Sequence, residues 1–171
     1  MKKLIALFAV IASLSSFATV IPPLTGTATA TGSATIVTPI AIATAGNMNF
    51  GSLAVSATAG QLILNSAGAR SANGGVTLPS VTGIFSVASF NVTGLMNSTY
   101  SISLPVEDYV ISGAGSSMII NAFTNNLGAT GTLGSDGKQT INVGATLNVK
   151  GSQAAGTYTN PSGFGVTVNY N

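Results

Sequence analysis

The sequence predicts an all-β protein, an immunoglobulin-like antiparallel β-sandwich around one core. Three observations lead there. After residue 18 the apolar residues recur with period two rather than 3.6, the runs are short, and clusters of Gly, Ser, Asn and Pro separate them. Successive strand side chains point to opposite faces, so such alternation marks strands buried on one side. Seven to ten short strands in about 150 residues, joined by glycine-rich turns, make a sandwich.

Residues 1–18 read as a secretory signal peptide. Lys2 and Lys3 precede the apolar run from Leu4 to Leu14, and Ser16-Phe17-Ala18 offers small side chains at the two positions a signal peptidase reads. The run is too short to cross a hydrocarbon layer of ~30 Å, so no integral membrane span is expected after cleavage. The protein is expected to be exported through the inner membrane. Residues 19–37 form an N-terminal extension in which Ala28, Ala30, Gly32, Ala34 and Ile36 alternate with Thr27, Thr29, Thr31, Ser33 and Thr35. This segment reads either as an uncharged strand available to another sheet or as a flexible Thr-rich linker. Pro22-Pro23 stiffens the chain under both readings.

Residues 38–171 are the expected sandwich domain. The clearest strand is Ile141 to Val149, with Ile141, Val143, Ala145, Leu147 and Val149 on one face; Tyr100 to Leu104 and Phe164 to Tyr170 repeat the pattern. Further strands are expected over Ala34 to Ala43, Asn47 to Val55, Gln61 to Asn65, Gly75 to Leu78, Ile84 to Thr93, Tyr109 to Ser112 and Met118 to Phe123. Turns are expected at Ser71 to Gly75, Gly113 to Ser116, Gly134 to Gly137 and Asn160 to Gly163. An eight-stranded outer-membrane barrel fits less well, because several strands span only five or six residues and Trp is absent.

Charge is scarce. Five Lys and Arg face three Asp and Glu, charged residues are 5% of the chain, and His, Cys and Trp are missing. Without His or Cys there is no Ser-His-Asp triad, no thiolate nucleophile and no zinc site of the usual ligands, so an enzyme is not expected, nor is a cofactor. Cleavage after Ala18 leaves three basic and three acidic residues, a neutral chain with no footprint for nucleic acid. The mean hydropathy of +0.53 and 46% apolar content fit disorder badly. Glu107-Asp108 reads as a solvated loop rather than a calcium site, and Asp136-Gly137-Lys138 as a hairpin turn. Tyr100, Tyr109 and Tyr158 read as packing residues rather than a sugar site.

A resemblance is carried by Ala28 to Val37 with Thr38-Pro-Ile-Ala-Ile42 and Asn47-Met-Asn-Phe-Gly51, by Gly68 to Val76, by Phe90-Asn-Val-Thr-Gly94 with Tyr100 to Leu104, and by Ala155 to Tyr158 with Gly165 to Asn171. Together these resemble a family of small secreted bacterial proteins known as a domain of unknown function, similar in turn to the archaic chaperone-usher pilins and the spore coat protein U group. The resemblance implies a pilin-like sandwich with an incomplete sheet, whose groove beside the C-terminal strand is filled by a chaperone in the periplasm and by the next subunit's N-terminal strand in a fibre. The donor residues would be Ala28, Ala30, Gly32, Ala34 and Ile36. The acceptor groove would lie along Phe164, Val166, Val168 and Tyr170. The departures are Tyr158 in place of Gly at the fourteenth position from the end, and the missing disulfide. The implied partners are the protein itself or related subunits, with a periplasmic chaperone and an outer-membrane usher. The implied function is a structural subunit of a cell-surface fibre acting in adhesion or biofilm. The alternative is a monomeric secreted sandwich that binds a carbohydrate or matrix component.

Overall fold

A computed structural model describes residues 25–171; the expected signal peptide and residues 19–24 lie outside the described residues. The chain divides into residues 1–35 and 36–171, each taken by itself. In the first, residues 25–35 carry no regular secondary structure and all are exposed. The second holds ten strands: β1 Ala41–Gly46, β2 Ala54–Leu64, β3 Arg70–Thr77, β4 Ala88–Thr93, β5 Thr99–Ser103, β6 Tyr109–Gly113, β7 Ser116–Asn125, β8 Thr130–Thr132, β9 Lys138–Val149 and β10 Thr167–Tyr170. Among the described residues there is no helix. The fold is the all-β antiparallel sandwich that the alternation predicts.

Strand β9 organises both layers. One edge of it pairs first with β4, from Lys138 to Val143, and then with β2, from Ala145 to Val149; β7 takes the opposite edge. β1 extends the sheet beyond β4, β3 beyond β2 and β6 beyond β7, giving seven strands. A second sheet of order β10-β5-β8 faces it. The inward residues Ile141, Val143, Ala145, Leu147 and Val149 are all buried. Ile141 and Val143 join a core with Phe90, Val92, Tyr100, Ile102, Leu133 and Val168 between the two sheets. Ala145, Leu147 and Val149 join another with Leu62, Leu64, Val76, Ile111, Met118 and Ile120, closed by Phe50 from the β1–β2 connection. Met48 and Phe123 touch both. Period two therefore continues unbroken across a change of core.

Gly144 stands where β9 passes from β4 to β2. A methyl group on it would overlap the Leu64 carbonyl oxygen and come within 2.6 Å of the Ser66 nitrogen, both rigid backbone. Arg70 fixes the connections on the other side. Its guanidinium donates to the carbonyls of Phe50, Ser52 and Thr82 at 2.7, 3.2 and 3.4 Å and lies 4.2 Å over the Phe85 ring.

Several elements differ from expectation. Ser71 to Gly75 lies inside β3 rather than in a turn. The β2–β3 turn forms upstream, where the Asn65 side-chain oxygen accepts from the Ala67 and Ala69 amides at 3.1 and 2.8 Å. Gly74, with φ at +61°, sits beside a register shift between Val55 and Gly60 and lets the strand continue. The strand expected from Ala34 starts only at Ala41, because Pro39 offers no amide hydrogen to a ladder. Asn47 to Leu53 is mostly loop, with a single bridge from Asn49 to Ser86 beside the Arg70 contacts. The Gly134 to Gly137 turn is present, but it joins β8 to β9 in different sheets and closes no hairpin. The Gly113 to Ser116 turn closes the β6–β7 hairpin, with φ of 47° at Ala114 and 72° at Gly115, the sense of a type I′ turn.

Gly144→Ala should destabilise the fold by about 2 kcal/mol or more, since the added carbon meets backbone on a strand held along both edges. Urea unfolding checks this, and unchanged stability would show that β9 does not need glycine where it changes partners.

Candidate functional site: the gap between the first and last strands

The core between the two sheets has a partly buried rim where β1 and β10 approach each other. Among the described residues β10 pairs only with β5, Val168 opposite Ile102 and Tyr170 opposite Tyr100. Among the same residues β1 pairs only with β4, Ile42 opposite Val92 and Thr44 opposite Phe90. Each strand thus ends its sheet and keeps one edge outside any ladder formed by the described residues. Between those edges the apolar residues are only partly buried: Ile40 and Ile42 from the β1 side, Phe164, Val166 and Tyr170 from the β10 side. The floor beneath includes Val92, Tyr100, Ile102 and Val168.

The mouth of this gap is clipped at one end. The Tyr170 hydroxyl accepts from the Leu95 amide at 2.6 Å and donates to the Thr38 carbonyl at 3.0 Å. That position exists because residue 94 is glycine; a methyl group there would overlap the phenolic oxygen. Phe164 is held by three rings, Phe90, Tyr109 and Phe123, with centroids at 6.3, 5.7 and 4.8 Å. Tyr100 is fully buried and gives its hydroxyl to the Gln139 side-chain oxygen at 2.6 Å. Burial pushes its pKa above the ordinary 10.0.

Phe164, Val166, Val168 and Tyr170 share one face and meet at this core, while Gly165, Thr167 and Asn169 are exposed. The ladder itself is shorter than expected: Phe164 and Val166 precede β10 and reach the core without belonging to the strand. Ala28, Ala30, Gly32 and Ala34 are exposed and carry no strand, and Ile36 is 97% exposed. Reading the sequence did not single out Ile40 and Ile42 as part of the gap, although their alternation after Pro39 was a usable signal. The Gly94–Tyr170–Thr38 clip had none, because it joins three distant stretches of chain.

The other residues weighed from sequence serve the protein itself. Asp108 accepts from the Asn121 amide at 3.0 Å in an exposed loop. Tyr109 and Tyr158 donate their hydroxyls to the carbonyls of Asn160 and Ala154 at 2.8 and 2.7 Å. Asp136 accepts from the Lys138 amide at 3.0 Å inside its turn. Among the described residues no group of three His, Cys, Asp or Glu side chains is placed to hold a metal, and no helix is long and apolar enough to cross a membrane. The two strands offer edges outside any ladder beside partly buried apolar side chains, the chemistry of main-chain recognition.

Residues 40–170 match a family model described as a domain of unknown function, DUF4402. The matched span runs from the start of the gap to Tyr170 and leaves out the extension. No curated protein and no solved structure matches the chain.

Val168→Asp places an uncompensated charge at a position only 7% exposed and should cost about 3–5 kcal/mol, whereas Thr167→Asp on the outer face should cost less than about 1 kcal/mol. Equal melting temperatures for the two variants would contradict the packing of β10. Stability should also depend on alkaline pH through Tyr100. Its folded pKa is raised, so its contribution is intact below 10.0, the unfolded value, and is lost as pH rises from there through the folded value. Thermal unfolding from pH 8 to 12, run against Tyr100→Phe, should show a steeper alkaline fall in the parent protein.

Proposed function

The chain belongs to the family of domains of unknown function DUF4402, and from the partly buried rim of its sandwich we propose that it is a structural subunit of a bacterial surface fibre. It polymerises by strand exchange, with adhesion or biofilm formation as the consequence. The observation that carries this reading is the pair of one-sided strands, β1 and β10, flanking partly buried Ile40, Ile42, Phe164, Val166 and Tyr170. An added strand would pair with a free edge and cover those side chains at once, which is the mode of β-strand addition.

The occupant in this reading is residues 25–37 of another subunit. That stretch is uncharged, exposed and free of regular structure, and its small residues alternate up to Ile36. Ala28, Ala30, Gly32 and Ala34 are knobs of small area; Ile36, 97% exposed, is the anchor. A free edge beside apolar side chains is an aggregation hazard until it is covered, so passage through the periplasm calls for a chaperone strand, and ordered release at the surface for an usher. This is the relation to the archaic chaperone-usher pilins, part of the same proposal.

Deleting residues 25–37 should leave a subunit that is exported and folded but adds to no fibre. A synthetic peptide of residues 25–37 should stabilise that truncated subunit by about 2.7 kcal/mol at a hundredfold excess over its Kd. Intact protein that sediments as a sharp monomer and a truncated subunit indifferent to the peptide would overturn the reading.

A further inference from the structure

The outer face of the larger sheet carries a line of side-chain amides, far in kind from the apolar gap. Across β3, β2 and β9 the register sets Asn73 opposite Gln61 and Gln61 opposite Asn148. Asn73 donates to the Gln61 oxygen at 3.3 Å, Gln61 to the Asn148 oxygen at 2.9 Å and Asn148 to the Asn121 oxygen at 2.9 Å; Asn121 then donates to Asp108 at 3.0 Å. Every donor points the same way along the chain, which ends on a carboxylate. Each amide therefore has a fixed orientation. Beside the first three members lies a cavity of about 480 Å³, whose wall also includes Met118, Ile119 and Lys150.

We infer that this cavity is a binding site for a neutral oligosaccharide. Its volume falls within the range of about 300–1,000 Å³ typical of small-ligand sites. A primary amide has two N–H groups and two acceptor lone pairs. The line uses one N–H of Asn73 and one of Gln61, which leaves a donor on each for a ligand. A sugar hydroxyl both donates and accepts, so alternating amide N–H and C=O groups match it better than a row of like charges would. Lys150 is the one ionic residue of the wall, too little to clamp a phosphate and without a carboxylate there to hold a metal. Ile119, partly buried and paired with Asn148 on this face, supplies apolar surface for the C–H face of a sugar ring; the Met118 side chain points the other way, into the core. The hydrogen-bonded line orders the amides before the ligand arrives, so binding does not have to freeze them.

Saturation-transfer NMR tests this on the whole protein, as monomer or fibre alike, because it observes the sugar. Cellobiose, maltose, lactose and N,N′-diacetylchitobiose are the probes, each at up to about 20 mM to reach millimolar affinities. At least one should receive saturation at its ring protons. Gln61→Leu and Asn73→Ala should each weaken that binding about tenfold, equivalent to 1.4 kcal/mol, while Thr99→Ala on the other sheet should not. Inorganic phosphate should not displace the sugar. Silence from all four sugars, binding unchanged in both amide variants, or displacement by phosphate would each overturn the proposal. So would loss of the fibre or of a dimer in the amide variants with no sugar effect, which would make the face a contact between copies.

Discussion

The fold depends on one strand satisfying three partners while keeping a single inward face. β9 gives one edge first to β4 and then to β2, gives the other to β7, and supplies buried residues to two cores. Neither core is complete without it: Ile141 and Val143 belong to one, Ala145, Leu147 and Val149 to the other. Side chains of modest size along this strand let two sheets meet over it. Glycine where the neighbour changes lets β4 end and β2 begin without a collision. A chain with 5% charged residues has little else to rely on, and surface ion pairs are worth little in any case.

The two cores are finished differently. The one under β2, β3, β6 and β7 is closed by Phe50 from a loop that Arg70 ties down through carbonyl oxygens. The one between the sheets has no such cover along β1 and β10, and its rim side chains stay partly exposed. This partly buried rim follows from topology, since β1 ends one sheet, β10 ends the other and the two lie beside each other. The proposed strand exchange draws on that unfinished side. The proposed sugar site draws on the finished half, where the outer face is polar because the inner face is already full.

Legibility in the sequence followed what each feature depends on. The alternation of β9 and the shared face of Phe164, Val166, Val168 and Tyr170 needed only local pattern, and both were readable. Ser71 to Gly75 looked like a turn because its residue types are turn formers, yet Asn65 won the turn by accepting two backbone amides. The short β8, Thr130–Thr132, left no mark because Thr-Gly-Thr has no apolar residue to alternate. Asp136-Gly137 read correctly as a turn and wrongly as a hairpin, since a turn's chemistry does not say which sheets it joins. The amide line and the Tyr170 clip were invisible for the same reason: both arise from register between strands far apart in the chain.

The Tyr170 clip also sets how the domain would bear a mechanical pull. Tension entering at Thr38 meets the Tyr170 hydroxyl before it reaches β1, and that hydroxyl is tied in turn to the Leu95 amide. The load is divided between the first strand and the last instead of falling on β1 alone. A pull directed along the axis of β1 would strain the β1–β4 hydrogen bonds together, in shear, rather than opening them one at a time like a zip. A phenol hydrogen-bonded to two backbone groups would thereby act as a strain relief, and the first thing a rising force would break is a side-chain contact that can form again.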